Sequence, residues 1–340
     1  MNSLKLTNTL LLIIALPVVF YILHILSFIF VPLLSSMFIA LFFVPMMRRM
    51  KRRGFPKFVS VGVSVILMIL FGTALYFLID KSSEEILSTK DEFLAKAELK
   101  IAAPVKVIYE YFGIKETVGQ SPDEINFKKE MAMLFAQPLI NSAGKIISQL
   151  LMTLFFVILW LSESINFERI LNSTILKQKY SSVKTFRRIE KDTIKFIRVK
   201  ILVSLGTGIG TALACYLFGV SFPIFWGIFA FSINFIQMIG SFVTVILCSI
   251  FAFVDLDPTG NLLFFILIIT AVQVIFGSII EPIYMGRSFT INIITVLVML
   301  LFWGFIWGVP GMIMSIPLTV FLKIIMDQFE RTKIIAKLIE

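Results

Sequence analysis

Charge is what this chain has least of. Asp, Glu, Lys and Arg make up 15% of its 340 residues, against about 25% in soluble domains. With 58% hydrophobic residues and a mean hydropathy of +0.96, an ordinary soluble fold is excluded. Histidine occurs once, as His24, so a zinc site of the HExxH type and a conventional Ser-His arrangement both lack partners. No enzymatic activity is expected. The two cysteines, Cys215 and Cys248, lie inside apolar segments, where free thiols behave as small hydrophobes; neither a disulfide nor a metal site is expected. No ATP-binding loop is present. The G-x-G at Gly206–Gly208 follows no strand and is not a nucleotide loop, so no cofactor is expected either. The first apolar run lacks a small-x-small cleavage site and reads as a membrane helix that stays on the chain.

What fills the chain is apolar helix. About 20 apolar residues cover a hydrocarbon core of about 30 Å, and the runs here predict an all-α polytopic membrane protein with about six to eight membrane-crossing helices. The formal net charge of +10 sits beside the spans rather than on a soluble domain. It therefore reports orientation and contact with the lipid bilayer, and no nucleic-acid partner is expected.

Six regions follow along the chain. Residues 1–80 hold three membrane helices, near 9–27, 29–47 and 58–79, the first two read as a hairpin whose turn carries Ser27 and Pro32. Between the second and third lies RRMKRRGFPK, residues 48–57, with six basic residues and no acid, which places that turn in the cytoplasm. Residues 81–142, with ten acidic and eight basic residues, read as a small helical insertion on the outer side. Phe93, Ala97 and Ile101 keep helical spacing there until Pro104 interrupts, and Ser121, Pro122 and Glu124 form a helix start. Residues 143–163 are a fourth span. Residues 164–198 form a basic amphipathic helix on the inner membrane surface, with Phe186, Ile189, Phe196 and Ile197 opposite Lys184, Arg188, Lys191 and Lys195. Residues 199–326 are the core, and 327–340 a cytoplasmic tail. Within the core, Gly206, Gly210 and Ala214 recur every four residues as a face for close helix packing. Both termini are expected on the cytoplasmic side.

Two core segments are too long for one crossing. Residues 222–253 and 291–326 would extend roughly 48 and 54 Å as straight helices. Each is broken near its middle, the first around Asn234, Gln237, Gly240 and Ser241, the second around Gly304, Gly308, Pro310 and Gly311, with Pro317 beyond. Kinked spans would absorb the length; helical hairpins that enter and return would also explain the breaks. Irregular backbone at membrane depth survives only inside protein or beside a wet cavity, so hairpin tips are natural sites. Gly240, Gly286, Gly308, Pro310, Gly311 and Pro317 are the hinge candidates. Asp255 and Asp257 read as solvated turn residues.

At these segments the chain resembles the autoinducer-2 exporter family of bacterial membrane transporters. The resemblance rests on WGIFAFSINFIQMIGSF (226–242), EPIYMGRS (281–288) and LLFWGFIWGVPGMIMSIPLTVFLKII (300–325), in family order and covering nearly the whole chain. Gln237 and Ile294 stand where the family usually has proline. The resemblance implies secondary transport in the bacterial cytoplasmic (inner) membrane by a homo-oligomer, for which a pentamer is the implied form. Its members divide between exporters of autoinducer-2 and sodium/proton antiporters, so the implied cargo is a small polar substrate or a monovalent cation.

A small polyol needs side chains that both donate and accept hydrogen bonds. Asn234, Gln237, Ser241, Ser288 and Asn292 supply that chemistry beside the breaks and are the substrate-binding candidates. Glu281 is the carboxylate nearest membrane depth, a functional candidate by default. It is either a proton or cation carrier or the interfacial partner of Arg287. A scaffold that binds a partner through residues 81–142 is the competing class, although it would gain nothing from polar breaks in two apolar segments.

Overall fold

The computed structural model describes residues 3–112, 148–163, 180–256, 260–286, 292–327 and 332. Every regular element among them is helical. By length and composition five helical runs among them could cross a membrane, one of which, Ile293–Lys323, breaks at Gly308, and four shorter apolar helices accompany them. Arg287, Ser288, Asp257 and the helix start at 121–124 lie outside the described residues.

Helix α1 (Ser3–Ile25) passes into α2 (Ser27–Arg52) through Leu26 alone, at φ −82° and ψ 15°. The ladder resumes at once, with the Phe30 amide donating to the Leu26 carbonyl. The chain thus bends at one residue where the sequence predicts a tight turn, and Pro32 lies inside α2. The buried stripe of α2 runs Val31, Ser36, Ala40, Val44, Met47, one face of a 3.6-residue helix. Its C-terminal half, through Ala40 and Met47, packs with Val157 and Leu161 of α4 (Ser148–Glu163).

Helix α3 spans Lys57–Phe112. It carries the third span straight into the expected insertion and is not interrupted at Pro104. Likewise α5 (Tyr180–Phe218) joins the basic segment to the fifth span without a break. The sequence put boundaries near residues 80 and 198 because charge density changes there. Backbone hydrogen bonding does not follow that change, since Lys and Glu are good helix formers.

Both over-long segments fold back on themselves. The first divides into α6 (Pro223–Ile233) and α7 (Ile239–Asp255). Its ends meet: the Ser221 amide and hydroxyl donate to the two Asp255 carboxylate oxygens at 2.7 and 3.0 Å, and the Trp226 and Phe251 rings touch edge to face at 5.0 Å. Asp255 is therefore a clasp across the base of the hairpin, its side chain 2% exposed, and not the solvated turn residue its neighbours Pro258 and Gly260 imply. Lys96 and Lys100 of α3 approach the same base, Lys96 4.0 Å from Asp255 and Lys100 donating to the Phe253 carbonyl.

Helix α6 lies antiparallel along α5 with a fixed register. A Cβ on Gly227 would come within 2.8 Å of the Ala212 Cβ, and one on Gly208 within 2.9 Å of the Phe231 Cβ. One turn further each way, the pairs become Ser204 with Asn234 and Lys200 with Gln237. Small residues let the backbones touch, and that contact delivers the tip of the hairpin to polar partners. Helix α5 then stops in a Schellman turn: Gly219, at φ +69°, donates to Tyr216 and Val220 donates to Cys215, the arrangement in which glycine takes the left-handed position.

The second segment is α10 (Ile293–Asp327), broken at Gly308 with φ 64° and ψ −146°. A Cβ on Gly311 would fall on the Trp303 carbonyl, and one on Gly304 within 2.9 Å of two Met312 side-chain atoms. Residues eight apart in an unbroken helix lie about 12 Å from each other, so the two arms double back. Helices α1 and α2 cover this hairpin through Phe20, Leu23, Val31 and Leu34. Between the hairpins run α8 (Gly260–Gln273), a π-helical stretch Val274–Ile280, and α9 (Glu281–Met285).

The first arm of α10 ends at the Gly308 break, so the Ile306 carbonyl has no partner further along the helix. His24 takes that place, its Nδ1 2.8 Å from the Ile306 oxygen, while Trp307 Nε1 donates to the Leu23 carbonyl at 3.0 Å. His24 is thus a partner for broken backbone.

The φ/ψ pair at Gly308 is open in practice only to glycine, and other residues there cost about 1–3 kcal/mol. Gly308→Ala is expected to lower the thermal midpoint of the detergent-solubilised protein by several degrees. Gly72→Ala, at an exposed helical site with nothing within 4 Å, should leave it unchanged or raise it, since alanine is the better helix former. Equal midpoints for the two variants would contradict the assigned break.

Candidate functional site

Three helices bring buried polar groups to the tip of the first hairpin. Lys200 of α5 is 2% exposed and Glu281, at the start of α9, is 4% exposed. The ammonium lies 3.1 Å from both Glu281 oxygens and donates to Gln237 Oε1 at 2.9 Å. Gln237 Nε2 in turn donates to Glu281 Oε1 at 3.0 Å, closing a three-membered ring of contacts. One turn along, Asn234 Nδ2 donates to Ser204 Oγ at 3.0 Å.

Local sequence explains why the tip is available. After Ile233 the helix gives way to a tight stretch, and α7 restarts from Met238 at φ 62°. Phe222, at φ 65° and ψ 47°, opens α6 in the left-handed region. Non-glycine residues held at such angles each cost about 1–3 kcal/mol, so strain collects at the two turns of this one hairpin. Gly240 lets α7 return: a Cβ there would collide with the Ile233 carbonyl. On the opposite side the π-helical turn before Glu281 adds a residue to the helical repeat, which re-aims the residues after it; π-turns of this kind are frequent at functional sites. Pro282 follows at the first position of α9, where its missing amide hydrogen costs nothing.

A buried ion pair gains Coulomb energy and loses hydration, and the two nearly cancel. The pair is stable here because Gln237 supplies a further acceptor to the ammonium and a further donor to the carboxylate. The ensemble carries no net charge. It can exchange hydrogen bonds with a hydroxylated solute, and it offers a cation nothing unless Lys200 withdraws.

The remaining sequence candidates have other places. Ser241 Oγ faces Gly277 of the π-turn, 3.5 Å from where a Cβ would be. Asn292 is exposed and its Oδ1 accepts from the Ile294 amide, capping α10. Gly286, at φ 58°, ends α9 with Lys195 Nζ 3.4 Å from its Cβ position. Gly206 and Gly210 receive Phe276 and Val272, and Ala214 joins the apolar cluster at the hairpin base. Pro310 and Pro317 both lie in the second arm of α10. Glu281 has Lys200 as its ionic partner. No group of three or more His, Cys, Asp or Glu among the described residues could hold a metal ion.

Sequence reasoning passed over Lys200 and Ser204. Lys200 looks like the last charge of the basic segment, and the eye follows the glycines of α5 instead. The signal is nonetheless there: Lys200, Ser204, Thr207 and Thr211 recur every three to four residues within an apolar run, one polar stripe on a helix.

The family model described as AI-2E family transporter matches residues 10–331. Among relatives, a Haemophilus influenzae protein whose name offers transport as its role and no cargo is 26% identical over 97% of this chain and 95% of its own length. The AI-2 transport protein TqsA of Escherichia coli is 24% identical over 88% of this chain and 86% of its own. A Borreliella burgdorferi protein, again named for transport alone, is 37% identical over 39% of this chain. A polytopic helical chain with two doubled-back segments, matched along nearly its whole length, is a multi-pass membrane protein of the AI-2E transporter family.

Proposed function

We propose that this chain is a secondary transporter of the bacterial inner membrane that exports a small, neutral, hydroxylated molecule by alternating access, with autoinducer-2 as the cargo. The observation that carries the reading is the ring of buried Lys200 and Glu281 with half-buried Gln237 at the tip of an interrupted hairpin, with Asn234 beside it. A transporter must hold its cargo near the middle of the membrane, and interrupted helices are the usual means. Amide and hydroxyl groups that both donate and accept suit a polyol, and the ring's zero net charge disfavours an ionic cargo. The printed name of the Escherichia coli relative supports autoinducer-2.

A second reading, sodium/proton antiport, draws on the same Glu281. A cation could reach the carboxylate only by displacing the Lys200 ammonium, so antiport would require that pair to open once per cycle. Subunits assemble as a homo-oligomer in either reading, and a pentamer is the form that the family resemblance implies.

Proteoliposomes assayed in parallel for autoinducer-2 movement and sodium-dependent proton movement separate the two. Export predicts autoinducer-2 flux that falls at least tenfold in Asn234→Ala, with no sodium-dependent signal. Sodium-dependent proton flux abolished by Glu281→Gln, with no autoinducer-2 movement, would replace export by antiport.

The ion pair itself makes a further expectation. Removing one partner of a buried pair leaves an uncompensated charge and costs about 3–5 kcal/mol, whereas removing both can be nearly neutral. Lys200→Met and Glu281→Gln should each lower the melting temperature and folded yield in detergent, and the double variant should recover both while remaining inactive in flux. A double variant that regained flux would show that the pair serves stability alone.

A further inference from the structure

The polar stripe of α5 does not end at the hairpin tip. Beyond Ser204 it continues through Thr207 and Thr211, both 0% exposed. The Thr207 hydroxyl donates to the Val203 carbonyl, but Thr211 Oγ1 has no partner. Across from it, Gln273 ends α8 at 4% exposure, and neither its amide oxygen nor its amide nitrogen has a partner. Several buried indole nitrogens are also unpartnered. Among the described residues, Gln273 alone is a buried side-chain amide with both its oxygen and its nitrogen unmet.

Helix register puts these groups in one layer. Gly210 receives Val272 and Gly206 receives Phe276, so α5 and α8 run antiparallel with Thr211 and Gln273 at the same level. On α7, Ser241 faces Gly277, and one turn further along, Thr244 comes level with Gln273. Thr244 is 1% exposed and donates to the Gly240 carbonyl. The layer lies about 10 Å along α5 from Ser204, seven residues on. Past it the apolar cluster of Cys215, Cys248, Ile269, Phe265 and Trp226 closes the hairpin base.

We propose that Gln273, Thr211 and Thr244 form a second binding subsite for a neutral hydroxylated solute, on the way between the tip cluster and the hairpin base. The proposal rests on the transport reading above and adds a place where cargo pauses. The class of ligand follows from the amide. A hydroxyl can donate to Gln273 Oε1 and accept from Nε2 at once. A cation would meet only the oxygens and leave the N–H groups unmet; an anion would do the reverse. The three side chains are all uncharged. Water has the same bonding capacity as a hydroxyl and is the alternative occupant.

Cys215 stands one turn beyond Thr211 on the same buried face and is a native reporter. In Cys248→Ala protein reconstituted in lipid vesicles, the rate at which a small neutral methanethiosulfonate modifies Cys215 is measured with xylitol, with NaCl, or with neither. Xylitol should slow the reaction at least threefold and NaCl should not. Gln273→Leu should abolish the slowing without lowering the melting temperature, since it removes unmet polar groups. No slowing by xylitol, equal slowing in Gln273→Leu, or a Cys215 that never reacts would each overturn the proposal and leave water alone in the layer. Flux is scored separately in the same vesicles. Protein that carries autoinducer-2 without xylitol protection keeps the transport reading and loses this subsite; protection without flux of any kind does the reverse.

Discussion

Backbone that leaves the helix within a membrane must find its hydrogen-bond partners in protein, because lipid supplies none. That constraint organises this chain. It explains why the breaks fall at a few positions and why protein groups gather at each: local backbone bonds close the first hairpin's tip, and side chains from elements far away in sequence meet there and at the other ends. His24 and Trp307 tie α1 to the second hairpin through carbonyls at helix ends. Asp255 closes the base of the first hairpin on Ser221. Lys200, Gln237 and Glu281 gather at its tip.

The two hairpins meet the constraint differently. The second has an exposed apolar tip at Gly308 and Val309, and its arms pack through Trp303, Trp307 and Met314 against α1 and α2. The first has a polar tip laid against a polar stripe, and its first arm is held to α5 by glycine-mediated backbone contact. Positive φ at Phe222 and Met238 leaves it with stored strain at both turns. The first hairpin is thus registered against α5, holds positive φ at its base and at its tip, and is polar at its apex; the second is held through apolar side chains.

Much of this was legible in the sequence, for reasons of length. A run of more than 30 apolar residues cannot cross once without excess, and a break at its centre points to a fold-back. Asn234, Gln237 and Glu281 were visible because polar groups in apolar surroundings are costly. Their partners were not. Pairing Glu281 with Lys200 requires knowing that α5 and α9 are neighbours, and local spacing favours nearby Arg287 instead. Asp255 was misread because a Pro-Gly turn beside it is a sufficient local explanation, while its bond to Ser221 spans 34 residues. Helices α3 and α5 run through residues 80 and 198, where charge density changes and the backbone does not. Gln273 drew no notice, since one amide in an apolar helix means little until its lack of partners is known.

The tip site exists only if the first hairpin returns to where it began. Ser221 and Asp255 would be about 51 Å apart in a straight helix, yet their side chains are in hydrogen-bond contact at 3.0 Å. The decisive measurement is disulfide formation between Ser221→Cys and Asp255→Cys in a Cys215→Ala, Cys248→Ala background in native membranes, read by mass spectrometry. The fold-back predicts efficient intramolecular cross-linking. Absence of the cross-link, with the two thiols labelled from opposite faces of the membrane, would make the segment a single traverse and remove the tip site.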